Sequence, residues 1–165
     1  MKNSILLVAC VVFAGGLAFS PYAYAGDVEA APHAVAQAPA MPTAGMTKSF
    51  HARLSGKAEV PPVSGTGRGR ATFKLDTATK TLTWHVSYKD LTGPAVAAHI
   101  HGPAAAGANA GVEVPFSNVG TSPFTGSATL TDAQIADLMS GKTYVNIHTA
   151  ANKGGEIRGQ IVPSK

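Results

Sequence analysis

From Ser49 onward the chain alternates apolar and polar residues, and this period of two constrains the fold more than any other feature. "RATFKL" sets Ala71, Phe73 and Leu75 against Thr72 and Lys74. After the turn "DTATK" (76–80), "TLTWHVSYKDL" sets Leu82, Trp84, Val86 and Tyr88 against Thr81, Thr83, His85 and Ser87. Successive side chains of a strand point to opposite faces, so each stretch reads as a half-buried strand and the two form a hairpin. "SFHARL", "VAAHIH", "GVEVPF", "FTGSATL", "TYVNIHT" and "GEIRGQIV" continue the pattern. "PPVSGTG", "TGP", "HGPAAAG" and "ANKGG" are turn signals between them. Many short strands at this spacing predict an all-β fold, an antiparallel immunoglobulin-like or Greek-key β-sandwich.

One stretch departs from the pattern. In "LTDAQIADLMSGK", Thr131 suits a helix N-cap and Gln134 completes a capping box. Ile135, Leu138 and Met139 form an apolar stripe, and Gly141 ends the helix. A short connector helix closing one end of the sandwich is expected.

The amino-terminal residues read differently. Lys2 precedes an apolar run over 5–19, and Ala23-Tyr24-Ala25 has the small-x-small form of a cleavage site. Residues 1–25 are therefore expected to be a secretory signal peptide cut after Ala25, which places the mature protein in the periplasm or outside the cell. The run is too short for a membrane span. The sole cysteine, Cys10, leaves with it, so neither a disulfide nor a thiolate ligand is expected in the mature chain. Residues 26–48 are rich in Ala and Pro and lack periodicity, as in a flexible linker. His33, Met41 and Met46 lie there without fixed geometry. Residues 49–165 are left as one domain, expected to be a monomer.

The cations Arg53, Lys57, Arg68, Arg70, Lys74, Lys80, Lys89, Lys142, Lys153 and Arg158 are scattered along the chain. They form no stripe with interleaved aromatics, which argues against nucleic-acid binding.

The chemistry-bearing residues are histidines. His99 and His101 share a strand face, with Cα atoms roughly 6.5 Å apart. That spacing lets two imidazoles reach one ion at about 2 Å from each nitrogen. In "TYVNIHT", Tyr144, Asn146 and His148 share a face. A neighbouring position for this strand lets His148 supply a third nitrogen, giving a copper site or, less favoured, a zinc site with an open position. The other reading, and the first one here, is a structural polar cluster. Each histidine then donates to a backbone carbonyl of the loop that follows it. Glu156 and Arg158 share a face and are expected to pair with each other or to orient a histidine. His51 and His85 read as exposed or hydrogen-bonded rather than as ligands. Ser55, Ser64 and Ser117 lack a nucleophile-elbow context. Nothing in the spacing brings two of Glu59, Asp90, Glu113 and Glu156 together as a glycosidase pair. "GTGRG" (65–69) precedes a strand and not a helix, so it reads as a loop rather than a phosphate cradle.

"AEVPPVSGTGRGRATFKLD", "AAHIHGPAAAGANAGVEV", "GSATLTDAQIADLMSGKTYVNIHT" and "KGGEIRGQI" together resemble the CHRD domain, over about residues 50–162. This module is repeated in the developmental antagonist chordin and occurs singly in many secreted bacterial proteins. The resemblance implies an extracytoplasmic all-β module with a non-enzymatic binding or structural role. Its partner would be a secreted or envelope protein. His99, His101 and Gly102 fall in the family's "AHIHGPA" motif, Asn146 and His148 in its "VNVHT"-like motif, and Glu156, Arg158 and Gly159 in its "GEIRGQ" motif. Ile147 stands where Val is usual. A looser similarity is to copper–zinc superoxide dismutase. That enzyme needs more histidines and an aspartate for two metals, so His99, His101 and His148 fill at most one site.

Overall fold

The computed structural model describes residues 45–165. The expected signal peptide and its cleavage site, and almost all of the expected linker, lie outside the described residues. Nine strands run in chain order. These are β1 (Thr47–Ser55), β2 (Arg68–Asp76), β3 (Thr81–Lys89), β4 (Ala95–His101), β5 (Val112–Pro115), β6 (Phe124–Thr129), β7 (Tyr144–Thr149), β8 (Ile157–Gln160) and β9 (Val162–Pro163). Thr47 and Lys48, assigned by sequence to the linker, are the first residues of β1.

The alternation produces the hairpin it predicts. Phe73 pairs with Trp84 and Leu75 with Leu82 across β2 and β3, and all four are buried. The turn between them is set by Asp76, whose Oδ1 accepts from the backbone N–H of Ala78 and of Thr79 at 2.8 and 3.1 Å. Lys80 then takes a positive φ of 56° to reverse the chain.

The expected two-sheet sandwich is corrected. All nine strands belong to one antiparallel sheet, in the order β5-β4-β7-β8-β1-β2-β3-β6, with β9 also against β1. The reason is local to β1. It pairs along its whole length with β2, and on its other edge with β8 at Ser55 and with β9 at Phe50 and His51. Those bonds join what would otherwise be two sheets. The single sheet curls into a nearly closed barrel. Trp84 of β3 stacks on Phe116, just past β5, at 4.5 Å between ring centroids, and Phe116 also meets Phe124 of β6 at 5.7 Å. Aromatic packing thus bridges the two sheet edges. Phe50, Leu54, Phe73, Leu82, Val145, Ile147 and Ile157 fill the interior. Burying each contributes about 1.5–3 kcal/mol.

Helix α1 (Asp132–Met139) forms with the expected capping box between Thr131 and Gln134. Leu138 is buried and Ile135 packs against the core. Met139 does not complete the stripe, because it is 44 % exposed. The Gln134 amide donates to the Glu113 carbonyl at 3.0 Å and ties α1 to β5. No helix among the described residues is long and apolar enough to cross a membrane.

Candidate metal centre

Strands β4 and β7 are neighbours in the sheet, with His99 opposite Asn146 and His101 opposite Tyr144. Ala98, Ile100, Val145 and Ile147 face the core. The alternation therefore sends His99, His101, Tyr144, Asn146 and His148 to the outer face. The structure brings the three histidines together: each offers one ring nitrogen, and these lie within 4.8 Å of one another. His99 Nδ1 and His148 Nε2 are 3.2 Å apart. All three rings are partly buried.

Two backbone carbonyls set the tautomers. His101 Nδ1 is 3.1 Å from the Ala110 oxygen, and His148 Nδ1 is 2.9 Å from the Lys153 oxygen. A carbonyl only accepts, so each Nδ1 carries the hydrogen and each Nε2 keeps its lone pair. The His101 Nε2 is buried and has no hydrogen-bond partner. Burial, then the neighbouring imidazoles of His148 and His101, pushes the His99 pKa below its ordinary value. Burial does the same to His101, against the raising effect of the Ala110 carbonyl. Both rings thus favour the neutral form that a metal ion requires. Nitrogens at 3.2 Å are spaced as two ligands of one ion at about 2 Å each.

Loops bury the outer face around this cluster. The Arg158 guanidinium lies 3.3 Å from the Tyr144 ring centroid, and that ring stacks on His101 at 4.9 Å with 3° between planes. Arg158 also donates to Asn109 Oδ1 at 3.0 Å and to the Ala108 oxygen at 2.6 Å. The Ala110 N–H donates to the Tyr144 hydroxyl at 3.2 Å. Arg158 therefore holds both the ring on which His101 stacks and the loop whose carbonyl fixes the His101 tautomer.

Glu156 does not pair with Arg158 and does not reach a histidine, which corrects the expectation for that pair. The bend before β8 turns its carboxylate toward the segment after β3. There it accepts from the Thr92 N–H at 2.7 Å, the Thr92 and Thr149 hydroxyls at 2.6 Å each, and the Asn152 amide at 3.1 Å. Burial raises its pKa, but these hydrogen bonds outweigh it and hold the carboxyl below its ordinary value. Arg158 faces Glu59 instead. The Asn146 amide donates to both Glu59 carboxylate oxygens at 2.9 and 3.0 Å. Burial pushes Glu59 up to about 7, against the lowering effect of Arg158 and of Asn146. The sequence reading passed over Glu59 as a site residue. Its signal was an acidic residue in "AEVPP", at the end of a helical turn over Gly56–Ala58. His85 is exposed, and His51 meets only Ser164 at 3.4 Å, so neither joins the cluster.

The CHRD domain family profile matches residues 50–161, most of the chain and all of its strands but β9 and the start of β1. The chain belongs to the CHRD family. The family is not an enzymatic one, and membership suggests a binding role. No curated protein and no solved structure matches the chain significantly. The motif residues of this CHRD domain now have distinct tasks. His99, His101 and His148 converge, Asn146 and Arg158 build the buried wall beside them, and Glu156 anchors the loops at Thr92 and Asn152.

Proposed function

We propose that this CHRD protein is an exported, non-enzymatic binding module that holds one copper ion with His99, His101 and His148. The observation that carries the reading is the buried, unpartnered Nε2 of His101, in a cluster of three ring nitrogens within 4.8 Å. Carbonyls behind His101 and His148 orient their lone pairs forward, which is the outer support that metal-binding imidazoles require. Copper is preferred over zinc because a nitrogen donor set of given geometry binds Cu(II) more tightly. Export is supported by the apolar run at 5–19 and the Ala23-Tyr24-Ala25 site. A binding role without catalysis is supported by Glu156, the carboxylate expected from the sequence to pair with Arg158 or to orient a histidine, which is instead committed to Thr92, Thr149 and Asn152.

A second reading rests on the same two carbonyl bonds. In it the histidines only pin the loops at Ala110 and Lys153, and the ligand is a secreted or envelope protein. Electron paramagnetic resonance of the Cu(II)-loaded protein separates the two. The metal reading expects one bound species with nitrogen hyperfine coupling that disappears in H99A/H101A. A spectrum of free copper, or one unchanged in the variant, rejects it.

A further inference from the structure

Cations that are scattered in the sequence meet on the outer face of β1–β3. Arg53 is the direct cross-strand partner of Arg70, and Arg68 is the direct partner of Lys89. All four are exposed. Side chains directly opposite in an antiparallel pair stand about 5 Å apart, and like charges there destabilise the sheet. Two such pairs occur side by side. Arg68 has an acidic partner, Asp90 at 2.7 Å. Arg53, Arg70 and Lys89 have none among the described residues. A hollow of about 440 Å³ opens here, with Arg53, Arg68, Gly69, Arg70, Ser87 and Lys89 among its lining. The small outward residue Ser87, opposite Arg70, leaves its middle free. Lys74 continues the row on the same face of β2, so the cations from Arg68 to Lys74 span roughly 20 Å.

We propose that this face binds an acidic polysaccharide, whose repeating carboxylate or sulfate groups sit in the hollow and along β2. The guanidinium forks of Arg53 and Arg70 match planar or tetrahedral oxyanions. A row of cations this long suits an extended chain of charges better than one small anion. The other outward residues of these strands are Thr47, Ser49, His51, Ser55, Thr72, Asp76, Thr81, Thr83, His85 and Ser87, so one acid, Asp76, closes the end of the row beyond Lys74. That set holds no Trp, Tyr or Phe, the large platforms on which the bases of a single-stranded nucleic acid stack. Apolar side chains to enter a bilayer are missing as well. Hydroxyls and cations are what a charged carbohydrate chain requires. The face is separate from the histidine cluster on β4 and β7, so it does not depend on metal binding.

The test titrates the whole protein with labelled dextran sulfate and with alginate at rising NaCl. R53S/R70T removes one opposed pair and keeps residues suited to an outer strand face. K142S/K165S removes the same charge elsewhere. The expected result is salt-dependent binding of at least one polysaccharide, weakened about tenfold with a shallower salt slope in R53S/R70T and unchanged in K142S/K165S. If R53S/R70T is unfolded by circular dichroism, K74S/K89S decides by the same criterion. No binding, equal weakening in both variants, or tighter binding to single-stranded DNA or anionic phospholipid vesicles than to either polysaccharide overturns the proposal.

Discussion

His99 Nδ1 on β4 lies 3.2 Å from His148 Nε2 on β7, across two adjacent strands of one sheet. The Lys153 carbonyl takes the Nδ1 hydrogen of His148, so its Nε2 accepts and His99 donates. A metal ion held by His99 Nδ1 and His148 Nε2 would take the place of this hydrogen bond, with the His99 hydrogen on Nε2 instead.

The metal-free domain is expected to lose stability in mild acid. His99 and His101 have folded pKa values below their ordinary 6.5. The unfolded chain binds more protons in that window, so their contribution is complete above pH 6.5 and lost as pH falls through the lowered values. Urea unfolding from pH 8 to 5 should show this slope in the wild type and a flatter one in H99A/H101A. Equal slopes would contradict the burial of these rings.

Glu59 has the opposite sign. Its folded pKa is raised from 4.5 to about 7, so the folded state holds the proton more tightly. That contribution is complete below pH 4.5 and lost as pH rises through 7. Glu59→Gln keeps an acceptor for Asn146 and removes the charge. Its stability relative to the wild type should rise from pH 4.5 to 8, by on the order of 1–2 kcal/mol after allowance for solvent screening. A difference independent of pH would contradict the buried position of this carboxyl.

Arg158→Met should destabilise the domain by about 2–4 kcal/mol, because it leaves Asn109 and the Ala108 carbonyl without their donor. It should also weaken copper binding by about tenfold through the loosened Tyr144 and Ala110 supports of His101. Thermal unfolding and a copper titration read the two effects. Unchanged copper affinity in a destabilised variant would confine Arg158 to folding.

Gly155 has φ of +132°, and a Cβ there would meet the Asn146 amide and, at 2.7 Å, Glu59 Oε1. Gly155→Ala should cost about 2–4 kcal/mol of stability. At Gly154 an added Cβ meets nothing within 4 Å. Gly154→Ala should therefore stay within about 0.5 kcal/mol of the wild type. Similar losses in chemical denaturation would deny the close packing of this turn on Asn146 and Glu59.

Much of this was legible in side-chain parity. Phe73 against Trp84 follows from period two alone, and so does the shared face of His99 and His101. That β7 lies beside β4, which the triad needs, does not follow from parity. Nor does the edge of β1, where Ser55 meets Arg158 and turns two expected sheets into one. Glu156 illustrates a further limit. It is two residues from Arg158, yet the bend at Gly155 sends it to Thr92, and Glu59 arrives from a distant turn to face Arg158. The meeting of Arg53 with Arg70 and of Arg68 with Lys89 is set by register, which single-strand patterns leave open.

The central claim is tested most directly by calorimetric titration of the mature domain with Cu(II), Cu(I) and Zn(II), beside H99A/H101A/H148A and H51A/H85A. The account predicts one tight copper equivalent in the wild type and in H51A/H85A, and none in a folded H99A/H101A/H148A. Absence of tight binding in the wild type, or its persistence in H99A/H101A/H148A, would contradict it and leave the three histidines as pins for the loops at Ala110 and Lys153.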